Sequence, residues 1–276
     1  MFKQNNKPDS DLFFSVAKIL AKGEVVCLTG AGISCESGIP AFRGQNGLWQ
    51  KYDPQKFGNF EGLVSLFRQS SKKMVEFVKD FYSVLLNAKP NAGHLALTIL
   101  EKEGLLEAVV TQNIDNLHQE AGTRSVIELH GNAFRIRCQG CKKTVVLEKQ
   151  RIAEMMKLFE QKQNSRIAIL RIMSRYCPRC ENCRARFRID IVLFGESLPQ
   201  DALSKAYQLI DRTKTFLIVG SSLVVYPAAW LPQYAKERGL TLIEINQQPS
   251  ALSHLCDFYL NGQAAEILPE LVRRIT

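Results

Sequence analysis

Long apolar runs are missing from this chain of 276 residues. None approaches the 18 or more uncharged apolar residues of a membrane-spanning helix, which excludes an integral helical membrane protein. The opening residues, Met1 to Pro8, hold two lysines and no apolar core of the secretory kind, so a cytoplasmic location is expected. No internal repeat or low-complexity tract is present, which argues against a solenoid or a linker-rich protein. Histidine is scarce, with four in all, so imidazole chemistry has few candidates. Cysteine is not scarce. A chain without a secretory signal has little use for a disulfide framework, and five of the eight cysteines fall between Cys138 and Cys183, which points to metal binding.

A hydrophobic content of 46% over this length can bury one large domain and a smaller one. The net charge of +9 is uneven: residues 131–189 hold fifteen Lys/Arg against four Asp/Glu, and the remainder is slightly acidic. A solvated surface explains this excess; the sharper reading is steering of nucleic acid or an acidic partner.

Apolar periodicity predicts a helix over residues 11–22, then a buried strand at Val25-Val26-Cys27-Leu28. The strand runs into Thr29-Gly30-Ala31-Gly32-Ile33-Ser34 and on through Gly38-Ile39-Pro40-Ala41-Phe42-Arg43. Glycines directly after a strand let the backbone approach a phosphate, and the next helix then aims its free N–H groups at the anion. The third glycine of the ordinary dinucleotide fingerprint is absent, with Cys35 standing there. Residues 48–52 form an aromatic patch before Asp53-Pro54, and residues 60–87 read as two helices, the clearer face being Met74, Phe77, Val78, Phe81 and Leu85. Another helix spans residues 91–103. Apolar strands follow at 108–110, 126–129, 215–219, 240–245 and 258–260, separated by helical segments up to a final helix over 262–274, a pattern that predicts a parallel sheet covered on both faces. Polar residues stand just past several strand ends, where open α/β sheets bind ligands: Gln112-Asn113-Ile114-Asp115, His130, Gly220-Ser221-Ser222 and Asn246-Gln247.

Cys138-x-x-Cys141 is half of a tetrahedral thiolate site. The other half is open, because Cys177-x-x-Cys180-x-x-Cys183 holds two overlapping spacings and zinc needs one pair. Four thiolates leave no coordination position for water, so one structural Zn2+ is expected that performs no chemistry. Between the halves, Ile152, Met155, Met156, Phe159, Ile167 and Leu170 stand at roughly helical spacing.

The glycine block, Gln112-Asn113-Ile114-Asp115, His130-Gly131, the cysteine pairs, Phe194-Gly195-Glu196, Gly220-Ser221-Ser222 and Asn246 together resemble the sirtuins, NAD-dependent protein-lysine deacylases, most nearly of the bacterial type. The resemblance implies a Rossmann-like parallel sheet in residues 8–41, 91–130 and 190–276, a helical cofactor-loop module in 42–90, and a zinc-binding module in 131–189. It favours Cys180 and Cys183 as the second zinc pair, with Cys177 spare or exchangeable, and leaves the length of the 147–174 segment unexplained. It implies transfer of an acyl group from N6-acetyl-lysine to ADP-ribose with release of nicotinamide.

The residue roles it implies make physical sense. His130 would take a proton from a ribose hydroxyl, with Asn113 and Asp115 as the other catalytic residues. NAD would lie against Gly30, Ala31, Gly32, Ile33, Ser34, Phe42, Arg43, Gln112, Asn113, Ile114, Asp115, His130, Gly220, Ser221, Ser222, Asn246, Gln247 and Gln263. Val192, Phe194, Gly195 and Val224 would line the acetyl-lysine peptide, laid in as an added strand. No Tyr-x-x-Arg occurs in residues 60–87, so an uncharged acyl group is expected. A monomer is expected. The alternatives are ADP-ribosyl transfer or NAD hydrolysis at the same site, and a non-catalytic zinc-stabilised module that binds nucleic acid through residues 131–189.

Overall fold

The computed structural model describes residues 10–40 and 48–275. Five short strands, β1 (Val25–Thr29), β2 (Leu106–Thr111), β3 (Val126–Glu128), β7 (Thr215–Val219) and β8 (Thr241–Asn246), join β9 (Phe258–Asn261) in one sheet of order β3-β2-β1-β7-β8-β9. Every pairing in it is parallel. The chain order reverses between β1 and β7, and a crevice opens at such a switch point beyond the carboxyl ends of the strands.

Side chains alternate across a strand, so the apolar runs feed two separate cores. Val25, Cys27, Leu217, Val219, Ile243 and Ile245 face α1 (Ser10–Leu20), α6 (Ala92–Lys102) and α12 (Ala264–Ile275). Val26, Leu28, Phe216, Ile218 and Leu242 face α10 (Gln200–Ile210) and α11 (Trp230–Glu237). The central strands β1 and β7 are buried at every position, which is why β1 is apolar up to its terminal Thr29 and β7 is apolar after its opening Thr215.

Two insertions cover one end of the sheet. The first holds the four-residue helices α2 (Leu48–Lys51) and α3 (Pro54–Phe57), then α4 (Phe60–Gln69) and α5 (Ser71–Asn87). The second, reached after the short helix α7 (Leu117–Ala121) and β3, is a small antiparallel sheet of order β5-β4-β6, formed by β4 (Gly131–Cys138), β5 (Thr144–Val146) and β6 (Phe187–Ile191). Between β5 and β6 lies a helical hairpin, α8 (Lys149–Lys162) and α9 (Arg166–Tyr176). Val75, Tyr82 and Leu85 of α5 share a core with Ile152, Met155 and Phe159 of α8 and Ile169 of α9. The two insertions are thus packed on one another.

Two local features add to the sequence reading. The helix after the glycine turn is a seven-residue 3-10 helix, Ala31–Ser37, in which Gly32 N–H donates to the Gly220 carbonyl at 2.7 Å. The aromatic patch at 48–52 begins as a single helical turn, α2, and Tyr52 is buried against Phe57 and Phe77.

Candidate active site

Each polar segment named from the sequence leaves the carboxyl end of a parallel strand. Gly30 follows β1 and Gly220 follows β7, and the two turns interlock: Gly30 N–H donates to the Val219 carbonyl at 3.0 Å, and a Cβ on Gly220 would lie 2.3 Å from the Ile33 nitrogen. Only glycine permits that approach, and Gly220 also takes φ +61°. Gln112, at the end of β2, hands its backbone N–H to the Thr29 carbonyl and its side-chain amide to Ser221 Oγ at 2.8 Å. Asn246, at the end of β8, donates to the Ser221 carbonyl at 2.8 Å.

Beneath these turns runs a buried relay. Asn113 donates its amide to the Gly30 carbonyl at 3.0 Å and to Ser34 Oγ at 3.1 Å; Ser34 in turn donates to Asp115 Oδ2 at 2.7 Å. The other carboxylate oxygen of Asp115 accepts from Leu117 N–H at 3.0 Å. Burial pushes the Asp115 carboxyl above its ordinary value, against the lowering effect of those two donors.

His130 stands between β3 and β4. Its Nδ1 lies 3.1 Å from the Gln112 carbonyl, and its own carbonyl accepts from Val192 N–H at 3.0 Å. A carbonyl can only accept, so Nδ1 carries the hydrogen and Nε2 is left as an unprotonated base. Burial pulls the imidazole below its ordinary value, which keeps it neutral near pH 7. Behind it, Asp190 of β6 holds Arg135 and Arg137 of β4 at 2.6 Å each, and Arg135 also pairs with Glu128 at 2.7 Å; Arg188 pairs with Glu196 and Lys149 with Glu120, so part of the basic excess of this segment is paired within the fold.

A cavity of about 1320 Å3 opens over these groups. Of the residues expected there, Gly30, Ala31, Gly32, Gln112, Asn113, Ile114, His130, Val192, Phe194, Gly220, Ser221, Ser222, Asn246 and Gln247 line it. Six others are not among its lining residues. Ile33 is in the core with α1 and α6, and Ser34 and Asp115 are consumed by the buried relay. Gly262 and Ala264 form the wall where Gln263 was expected, and Gln263 is exposed. Gly195 and Val224 stand beside the wall, which Phe194 and Val225 supply. Residues 192–196 and 223–226 are irregular rather than strands, and the Phe194 N–H is already given to the Gly58 carbonyl at 2.8 Å. Phe42 and Arg43 lie outside the described residues.

The sequence reading missed Glu244. It is fully buried in β8 and accepts hydrogen bonds from Asn246 Nδ2 at 3.1 Å and Ser250 N–H at 2.9 Å, which orders the loop that carries Asn246 and Gln247. One charged residue inside the apolar run 240–245 was the available signal.

The four sulfurs of Cys138, Cys141, Cys180 and Cys183 converge within 4.8 Å of one another. Cys138 and Cys183 lie 3.3 Å apart and Cys141 and Cys180 3.6 Å, close to the edge of about 3.8 Å that Zn–S bonds of about 2.3 Å give a tetrahedron. Both turns have one build: Lys142 and Arg184, each directly after the second cysteine, take positive φ and donate to the carbonyls of Cys138 and Cys180. Cys177 is outside the cluster. It lies on the cavity wall, where burial pushes its thiol up to about 11.

A sequence model of the Sir2 family matches residues 30–227, from the first glycine of the β1 turn to the loop after Ser222. The chain belongs to the Sir2 family. A relative from Pyrococcus furiosus, an NAD-dependent protein deacylase, is 45% identical over 261 residues, covering 94% of this chain and 96% of its own. Among solved structures, a Sir2 homologue in complex with NAD is 35% identical with a TM-score of 0.74, covering 95% of this chain and 93% of its own. A Sir2 protein with a p53 peptide and NAD+ is 35% identical with a TM-score of 0.73, covering 94% and 96%. The fold of this sirtuin is therefore that of a known architecture. Among the described residues, no helix is long and apolar enough to cross a membrane.

Proposed function

We propose that this sirtuin is an NAD-dependent protein-lysine deacylase that moves the acyl group of N6-acetyl-lysine to ADP-ribose and releases nicotinamide. The observation that carries the reading is the placement of His130: a neutral imidazole whose Nδ1 is committed to the Gln112 carbonyl, on the same cavity wall as the Gly30 and Gly220 turns. The glycine turns and Ser221 suit the phosphates and ribose of NAD, and Asn246 and Gln247 suit its far end. Asn113, its amide N–H groups held by the Gly30 carbonyl and Ser34, presents its amide oxygen toward the ribose and nicotinamide; Asp115 acts through Ser34 as a positioning residue. His130 Nε2 takes the proton of a ribose hydroxyl and makes that oxygen nucleophilic toward the acyl carbon.

The acyl-lysine peptide lies between Val192-Phe194 and Val225, irregular segments that offer main-chain partners without demanding one sequence. Residues 8–41, 91–130 and 190–276 form the nucleotide domain, 42–90 the cofactor-loop module and 131–189 the zinc module. The Cys138, Cys141, Cys180 and Cys183 thiolates hold one zinc ion, which braces β4 and β6 behind His130 and takes no part in the reaction.

Incubating the protein with an acetyl-lysine peptide and NAD tests this. Nicotinamide, deacetylated peptide and O-acetyl-ADP-ribose in equal amounts are expected by mass spectrometry. Free ADP-ribose or ADP-ribosylated protein with the peptide still acetylated would overturn it, and a succinyl-lysine peptide turned over faster than the acetyl one would overturn the uncharged acyl group.

A further inference from the structure

Residues 131–189 carry fifteen basic and four acidic side chains, while the rest of the chain is slightly acidic, so the net charge of +9 has one source. Within the fold that charge is sorted. Arg135, Arg137, Lys149 and Arg188 are ion-paired, and none of them stands on the two cysteine turns. On the turns the cations are free. Lys142 and Lys143 follow Cys141, and Arg179, Arg184 and Arg186 flank Cys180 and Cys183; all five are exposed. Among the described residues no carboxylate pairs with any of them. Glu181 is the one acidic residue in 138–147 and 177–187.

The two turns stand side by side. Their four sulfurs lie within 4.8 Å of one another, and Gln139 N–H of the first turn donates to the Arg186 carbonyl of the second at 3.0 Å. A single antiparallel bridge sets Arg179 opposite Arg186. Like charges placed directly opposite each other destabilise a pair of strands, so this arrangement costs stability in the protein alone.

We propose that this end of the cysteine module docks on the phosphate backbone of duplex DNA. The inference goes beyond the deacylase reading and does not rest on it. A close array of unpaired cations is relieved by a partner whose negative charges are themselves closely and regularly spaced, and counterions released from the duplex drive the contact. The surface is also wrong for a protein partner: no large apolar side chain is exposed in 138–143 or 177–187, and Tyr176 and Phe187 are buried. Protein interfaces want an apolar centre with aromatic anchors, whereas DNA interfaces are more polar and far more positive. Buried aromatics leave no platform on which unpaired bases could stack, which disfavours a single strand. The turn closed by the Arg179–Arg186 bridge is a two-strand ribbon, a shape that the wide major groove of B-form DNA admits and the narrow one of duplex RNA does not. None of the five cations lines the catalytic cavity, so a docked duplex leaves it open.

Fluorescence anisotropy over a range of salt tests this, with a labelled DNA duplex, one of its single strands, the RNA duplex of the same sequence and polyglutamate. Five cations on phosphates give log K against log salt a slope of about −4 to −5. Lys143→Gln with Arg186→Gln should flatten that slope by about 2 and weaken binding at least about tenfold at about 0.1 M salt, with zinc content unchanged. Lys143→Arg with Arg186→Lys should bind as the wild type does. Lys22→Gln with Lys205→Gln removes the same charge from exposed positions elsewhere and should change little. Should the first pair lose its zinc, Lys143→Gln alone carries the test, with a slope change of about 1. No binding of the duplex, or a slope flatter than about −2, would overturn the proposal. Equal losses in the Lys143/Arg186 and Lys22/Lys205 pairs would show that net charge and not this face binds, and overturn it too. Polyglutamate, the single strand or duplex RNA bound as tightly as duplex DNA would overturn the choice of partner. Deacylation is not read in any arm, so that reading stands or falls separately.

Discussion

The Ser34 hydroxyl donates to Asp115 Oδ2 at 2.7 Å across 81 residues of sequence, and Asn113 donates to the same hydroxyl at 3.1 Å. One oxygen therefore joins the turn after β1 to the turn after β2. Ser34→Ala removes a donor from a buried carboxylate, which costs about 1–3 kcal/mol, and it frees the Asn113 amide. Urea unfolding should show a loss of that size, with KM for NAD rising roughly tenfold by the affinity scale that loss implies. Unchanged stability and unchanged KM would contradict the relay.

Gly220 tests the interlock of the two glycine turns. A Cβ there would meet the Ile33 nitrogen at 2.3 Å, whereas one at Gly239, which also has positive φ, would meet nothing within 4 Å. Gly239→Ala should cost only the left-handed strain of about 1–2 kcal/mol, and Gly220→Ala clearly more, with loss of NAD binding. Equal losses in thermal or urea unfolding would show that the close approach is not what demands glycine.

Zinc content separates the cysteines. Cys180→Ala should lose the metal and lower the melting temperature, since β4 and β6 meet at the cluster through Cys138 and Phe187. Cys177→Ala should keep one zinc per chain by metal analysis. Loss of zinc from the second variant and not the first would reverse the assignment.

His94 makes stability fall in acid. Its ring is buried against His118, and burial pulls it down to about 4 from 6.5. The unfolded chain therefore takes up the proton first, so this contribution is whole above about pH 6.5 and is lost as pH falls toward 4, at up to about 1.4 kcal/mol per unit. His94→Gln keeps a side chain able to serve the capping box with Asn91 and removes the titrating ring. Urea unfolding from pH 7 to 5 should be less steep in pH for the variant; identical slopes would contradict the account.

Much of this architecture is legible because its signals are local. β1 and β7 are buried on both faces, so their apolar runs stand out, and glycines that must touch backbone cannot be anything else. The choice of Cys180 and Cys183 rests on the sirtuin resemblance, since spacing alone leaves two pairs open; its structural reason is a turn closed by Arg184 in the left-handed region, which the sequence does not display. Ile33 and Ser34 adjoin the glycine turn in sequence, and the 3-10 turn that follows buries both; Asp115, which follows β2, is buried with them through its bond to Ser34, a pairing that sequence order does not display. Glu244 needed the folded loop to be seen, since its carboxylate is satisfied by Asn246 and Ser250 only once the chain after β8 turns back over it.

The central claim is that His130 is the base of an NAD-dependent deacylation. Steady-state turnover of an acetyl-lysine peptide by the wild type and by His130→Ala, at pH 7.5 with saturating NAD, tests it most directly. The account predicts a loss of at least about 100-fold in kcat, the scale on which a positioned general base acts, with the variant still folded and retaining its zinc. A folded His130→Ala enzyme within twofold of the wild type would contradict it.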